Sequence, residues 1–238
     1  METKIVTFNV RCVYNTCDGA NNFIHRISLI KNKISQQQPD IVAFQEVTPP
    51  ILADLETIFG EQYLLVGQMR SSSYSGEGLY TAIKRSAFEL IRLETFWLSP
   101  TPFVPGSRYK IQSTCPRICV VTTLLHKSSG KLISVYNLHL DHLEDYARRL
   151  GMKCVFKQMK KIQTTFPSEV VILGDFNAQP SDEVMQYTVQ NSPLNLNELT
   201  KNVPFTWHDF GKTQMKIDYI FVLLHDFLDD IHDVMNWF

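Results

Sequence analysis

Five apolar stretches of the chain each break off at side chains that can hold a cation or meet an anion. Val170-Val171-Ile172-Leu173 runs into Gly174-Asp175-Phe176-Asn177, which sets a carboxylate and an amide two positions apart. Ile5-Val6-Thr7-Phe8 stops at Asn9, and Ile41-Val42-Ala43-Phe44 stops at Gln45-Glu46. Ile133-Ser134-Val135-Tyr136 leads to Asn137-Leu138-His139, and the run from Lys216 to Val222 carries Asp218 within it. A continuous apolar run of this length reads as a strand buried on both faces. An amide at its end would cost roughly 2–7 kcal/mol if buried without a partner, and a carboxylate more. Such groups belong at a cleft, facing water or a metal ion. One such strand end is commonplace; five together point to a single polar site built from strand termini.

The elements that must position these ends follow from periodicity. Phe23, Ile27, Ile30 and Ile34 recur at helical spacing, with Pro39 as the stop. Thr48-Pro49-Pro50 predicts an N-cap and a proline-opened first turn, followed by the apolar stripe Ile51, Leu55, Ile58 and Phe59. A strand over residues 63–67 precedes a Ser/Gly-rich loop at 68–78, and strands occupy 79–98. Four prolines between positions 100 and 116 mark an irregular segment suited to walling a pocket. Residues 117–126 and 131–139 predict a hairpin around Lys127-Ser128-Ser129-Gly130. A long helix is expected over 143–165, with Tyr146, Leu150, Val155, Met159 and Ile162 facing the core. Ser181 is the expected cap of a short helix over 182–190. Clusters of antiparallel strands with helices between them predict an α/β sandwich of sheets flanked by helices. At 238 residues the whole chain, 1–238, is within reach of one domain.

Charge narrows the partners. With 23 Lys and Arg against 24 Asp and Glu, net −1, the chain lacks the basic signature of a protein that grips a long duplex. A small or short substrate is favoured, with Arg148-Arg149 and Lys160-Lys161 expected on a solvated face. Five cysteines, odd in number and without a Cys-x-x-Cys pair, argue against a disulfide framework or zinc ribbon and for reduced thiols in the cytoplasm. The chain enters its first strand directly, with no signal peptide and no apolar run near the roughly 20 residues needed to span a bilayer. Oligomeric state is left open.

In order and approximate spacing, Thr7-Phe8-Asn9, Gln45-Glu46, Asn137-Leu138-His139, Gly174-Asp175-Phe176-Asn177 and Ile217-Asp218-Tyr219 resemble the endonuclease/exonuclease/phosphatase superfamily over nearly the whole chain. Thr95-Phe96-Trp97-Leu98-Ser99, Pro105-Gly106-Ser107, Pro116-Arg117 and His139-Leu140-Asp141-His142 are similar to its bacterial metal-dependent hydrolases near the deadenylase and nocturnin branch. The resemblance implies a DNase I-like four-layer α/β sandwich, two mostly antiparallel sheets flanked by helices. It also implies divalent-metal hydrolysis of a phosphodiester or phosphomonoester: a small molecule, a nucleotide or a short RNA taken from its 3′ end. Glu46 would bind Mg²⁺ or Mn²⁺, with Asn9 in or beside its shell. Asp175 would orient or deprotonate the attacking water, while Asn177 and His139 would hold the scissile phosphate. Asp218 would orient a histidine from a later Ser-Asp-His motif. Arg117 is a phosphate contact or a surface ion pair.

The chemistry suits these residue types in its own right. A phosphodiester repels hydroxide, and a hard cation on a carboxylate lowers that barrier. Neutral donors then meet the charge growing on phosphate oxygens, at roughly 3–4 kcal/mol per donor.

The chain departs from the family at its end. Trp237-Phe238 follows without a Ser-Asp-His, and Asp230-Ile231-His232-Asp233 lacks both the serine and a following apolar strand. The link near Lys84 is also short. The expectation is that the protein continues and that the closing strand lies in the missing part; an intact mass equal to 238 residues would contradict it. Without that histidine, the alternative is a catalytically silent module that binds phosphate and metal. Two further readings fit less well. A two-zinc site on His139-x-Asp141-His142 lacks the upstream histidine, since Asn137 stands there, and a calcineurin-like site lacks a later Gly-Asn-His.

Overall fold

The computed structural model describes residues 3–14 and 16–223, apart from the side chains of residues 16 and 17. The segment 224–238, with His232 and the apolar terminus, lies outside the described residues.

Alternation along the strands separates two apolar faces in each sheet. Val6 and Phe8 of β1 (Ile5–Asn9) and Val42 and Phe44 of β2 (Ile41–Val47) point outward. They pack on Phe23, Ile30 and Ile34 of α1 (Phe23–Gln37) and on Ile51, Leu55 and Phe59 of α2 (Pro49–Phe59). Ile5, Ile41 and Ala43 point the other way, with Ile83, against Ile133, Val135, Val171, Leu173, Ile220 and Val222 of a second sheet. That sheet's outer face, Tyr136, Leu138, Val170, Ile172, Tyr219 and Phe221, lies under Met152, Val155 and Met159 of α3 (Asp145–Thr165) and Val184 of α4 (Glu183–Asn191). Both faces of each sheet are therefore covered, which is why the strands read as unbroken apolar runs. The layers run helix, sheet, sheet, helix, the four-layer α/β sandwich expected.

The first sheet has the order β1-β2-β4-β3, with β3 at Tyr63–Met69 and β4 at Gly78–Lys84. The second contains β5 (Phe88–Trp97), β6 (Ile118–His126), β7 (Leu132–His139), β8 (Glu169–Asp175), β9 (Asn197–Glu198) and β10 (Asp218–Leu223). Its order is β5-β6-β7-β8-β10-β9. Two pairings are parallel, β1 with β2 and β7 with β8, each linked through a helix. Parallel pairing delivers C-terminal strand ends to the same edge: Asn9 beside Gln45-Glu46, and His139 opposite Asp175. β10 runs antiparallel to β8, so its first residue, Asp218, falls opposite Asp175. The predicted hairpin is β6–β7.

Gln45 and Asn137 do not reach this edge. They are fully buried between the sheets, where Gln45 Nε2 donates to Asn137 Oδ1 at 2.9 Å. Asn137 Nδ2 donates to the carbonyls of Phe44 and Tyr80. The pair is an inter-sheet tie one layer behind the site, its polar atoms satisfied inside a dry core.

Thr48 stands at the N-cap of α2 with prolines in the first turn, as expected, though its hydroxyl makes no cap bond. Local chemistry corrects three other expectations. Asp182, not Ser181, is the cap residue of α4, and its carboxylate turns back to accept from Gln179 N. In α3, Tyr146 is half exposed beneath the Arg149 guanidinium, and the core face is Ala147, Gly151, Met152, Val155, Phe156, Met159 and Ile162. Arg148 is buried rather than solvated and donates to the Asp141 carbonyl. The described cysteines, 12, 115, 119 and 154, are all free thiols.

Candidate active site

The strand ends meet at Asn9. Its Nδ2 lies 2.9 Å from Glu46 Oε1 and 2.9 Å from Asp175 Oδ2, so one amide bridges carboxylates from the two sheets. Asn9 Oδ1 accepts from Arg11 N, and Glu46 Oε2 accepts from Cys12 N. Glu46 occupies left-handed backbone space (φ 60°) at a bulge in the β2–β4 pairing. Such a conformation costs a non-glycine residue about 1–3 kcal/mol and clusters at functional sites. Here it brings Glu46 into the cleft, where strict alternation would place it on the helix-covered face with Val42 and Phe44.

Asn177 is also left-handed (φ 49°), a region asparagine tolerates. Its N–H donates to Asp175 Oδ1 at 2.8 Å and its Nδ2 to the Leu140 carbonyl. Both oxygens of Asp175 thus accept hydrogen bonds, and His139 Nε2 stands 3.6 Å from Oδ2, too far for another. Burial still dominates. The Asp175 carboxyl is pushed up to about 6 by desolvation and by Glu46, against the hydrogen bonds from Asn9 and Asn177. Asp218, facing it across the ladder, is held well above the usual carboxylate range by burial and by Asp175. Burial, reinforced by Arg117, keeps the His139 imidazole neutral. Asp218 Oδ1 is buried with no hydrogen-bond partner among the described residues, while Thr206 Oγ1 accepts the Asp218 N–H.

Asn9, Glu46, Asp175, Asn177, Asp218 and His142 share a cleft of about 720 Å³. Arg11, Arg26, Leu29, Trp207, Phe210 and Met215 also line it. The Arg11 guanidinium, paired with Asp18 at 2.6 and 2.7 Å, lies 5.2 Å over the Phe210 ring. His139 sits behind this cleft, lining a chamber of about 10 Å³ with Glu46, Arg70, Glu77 and Arg117.

The structure thus brings all six predicted residues, Asn9, Glu46, His139, Asp175, Asn177 and Asp218, to one strand-end edge. Sequence reasoning named His142 only within a motif and a zinc reading, gave it no place in this cleft, and missed the aromatic lining of Trp207 and Phe210. The proline-rich segment was expected to wall the pocket, yet none of residues 99–116 lines the cleft. Its Ser113 instead donates to Asp141 through both hydroxyl and backbone N–H. Asp141 also accepts from Leu143 N and Glu144 N, and His142 Nδ1 is engaged by Arg117. The two-zinc reading fails on those contacts, since its Asp141 carboxylate is already committed and Arg117 holds one ring nitrogen of His142.

Among the described residues, no group of three or more His, Cys, Asp or Glu side chains is arranged to hold a metal ion. Magnesium asks for less: one or two carboxylates, with water and substrate oxygens completing its shell. Glu46 and Asp175, drawn to one amide with Asp175 reluctant to ionise, fit that demand.

The family model for the Endonuclease/Exonuclease/phosphatase family matches residues 6–222. A solved protein of that description from Bacteroides vulgatus superposes with a TM-score of 0.83 at 28% identity, covering 91% of this chain and 85% of that one. The uncharacterized protein L388 of Acanthamoeba polyphaga mimivirus is 25% identical over 91% of this chain and 80% of its own length. Rat nocturnin is 24% identical over 87% of this chain, which spans about half (53%) of nocturnin. The human 2′,5′-phosphodiesterase 12 is 24% identical over 71% of this chain and 30% of its own length. No helix among the described residues is long and apolar enough to cross a membrane. With the model matched from β1 to β10 and the motif side chains gathered at one edge, the chain belongs to the endonuclease/exonuclease/phosphatase family of hydrolases.

Proposed function

We propose that the protein is a divalent-metal-dependent phosphoesterase acting on a small phosphoester, a nucleotide or a short RNA. The observation that carries this reading is the cross-sheet meeting of Glu46 and Asp175 on the Asn9 amide at 2.9 Å each. Glu46 would hold Mg²⁺ or Mn²⁺, with Asn9 beside it. When bound, such a cation would offset phosphate charge and polarise the P–O bond. Asp175 orients the attacking water and takes its proton as the water oxygen bonds to phosphorus and the ester oxygen leaves. Asn177 is the donor for the phosphate oxygens. Neutral His139 stands behind Asp175, outside the cleft and not at the phosphate as the resemblance implied, and Asp218 keeps a buried acceptor for a positioning contact. The near-balanced charge supports a short substrate over a long duplex.

A panel of phosphomonoesters, phosphodiesters and short RNAs, assayed with Mg²⁺, with Mn²⁺ and after chelation, tests the proposal. Hydrolysis of at least one substrate, lost on chelation and restored by either ion, is the expected result. Binding of phosphate and metal without turnover of any substrate would instead identify the silent module.

A further inference from the structure

Resting on the phosphoesterase reading, we infer that Arg117 is a positioning residue: it fixes the His142 ring as an Nε2–H donor aimed at the substrate phosphate. Arg117 Nη2 and His142 Nδ1 are 2.9 Å apart. A guanidinium only donates, so Nδ1 must accept and the ring hydrogen resides on Nε2. The two residues divide the work by position. Arg117 is 4% exposed and does not line the cleft, whereas His142 is exposed within it beside Asp175 and Asn177. The guanidinium therefore reaches substrate only through the imidazole.

The surroundings support this division. Arg117 Nε and Nη1 are buried without hydrogen-bond partners among the described residues, so no carboxylate anchors the group as a structural ion pair. Arg117 instead lines the small chamber behind Glu46 and His139. The turn carrying His142 is held from below, because Asp141 accepts from Leu143 N, Glu144 N and Ser113. Backbone and tautomer are both set before substrate arrives. Burial and the Arg117 charge also press the His142 pKa downward, consistent with a ring carrying a single hydrogen.

The test combines imidazole ¹⁵N NMR with kinetics on the full chain. The His142 signals, assigned by their loss in His142→Gln, are expected to show a pyridine-type Nδ1 and a protonated Nε2. Inorganic phosphate with Mg²⁺ is expected to shift the Nε2 signal. Arg117→Met should mix the tautomers and lower kcat/KM about 10–100-fold, the usual cost of removing a supporting partner. Arg117→Lys, which can still donate to Nδ1, should recover part of that loss. In a His142→Gln background, Arg117→Met should cost nothing further. A protonated Nδ1 in the wild-type protein, indifference of the ring to phosphate, or an undiminished Arg117→Met penalty without His142 would each overturn the inference. If Arg117→Met fails to fold, the wild-type spectrum and Arg117→Lys still decide. A wild-type protein that hydrolyses nothing would remove the phosphoesterase reading, while the ring spectrum would still judge the tautomer.

Discussion

Replacing Asp175 with asparagine is expected to lower kcat roughly 10²–10⁴-fold, the usual contribution of a positioned proton acceptor. The same change should leave the metal-free fold as stable, or more stable, at neutral pH. Both outcomes follow from one carboxyl. In the folded protein it titrates near 6 instead of its ordinary 3.8, because burial and Glu46 oppose its charge. Between those values the folded state holds more protons than the unfolded chain, so stability falls as pH rises through that window. Above it the full cost stands, on the order of 2–3 kcal/mol. Asparagine keeps the shape and removes the charge. Its Nδ2 cannot accept, so one of the two hydrogen bonds to Asp175 is forfeited, which offsets about 1 kcal/mol of that gain. Chemical denaturation from pH 4 to 7 should therefore show a falling profile for the metal-free wild type and a flatter one for Asp175→Asn. Full activity in Asp175→Asn would remove the residue from the mechanism.

Gly174→Ala is expected to be strongly destabilising, costing about 4 kcal/mol or more or preventing folding. A Cβ at this position would lie 1.9 Å from the Leu138 carbonyl oxygen on the neighbouring strand. That atom is backbone in the parallel β7–β8 ladder and cannot rotate away. Gly174 also has φ 141°, a conformation that L side chains rarely adopt. The close approach brings His139 and Asp175 level across the two strands. Thermal or denaturant unfolding checks the prediction, and a variant within about 1 kcal/mol of wild type would contradict it. Gly130→Ala is a useful contrast: it shares a positive φ in the β6–β7 turn but has no atom within 4 Å of the added carbon.

The strand ends were legible because each closes a run buried on both faces, where a polar residue stands out against apolar neighbours. Parallel β1–β2 and β7–β8 pairing, with antiparallel β8–β10 pairing for Asp218, then turns five separate sequence signals into one edge. Gln45 and Asn137 carried the same signal yet lie a layer behind, bonded to each other. Composition could not separate them from Glu46, since the bulge that brings Glu46 into the cleft leaves no mark in residue type. Arg117 and His142 are 25 residues apart and meet only through the folded sheet. The sequence offered Arg117 two roles, phosphate contact or surface ion pair, and its burial under His142 matches neither. Trp207 and Phe210, which also line the cleft, come from an irregular stretch whose path is set by tertiary contacts. Asp209 and Phe210 there both hold positive φ, which no propensity would have proposed.

The central claim is that Glu46, with Asn9 beside it, seats a divalent cation next to the proton acceptor Asp175. Calorimetric titration of Mn²⁺ into chelator-treated wild-type protein and into Glu46→Gln tests it most directly, independent of any substrate. Saturable binding to the wild type, weakened at least about tenfold in a folded Glu46→Gln protein, is the predicted result. Equal affinity in the two proteins, or no binding to the wild type, would contradict it.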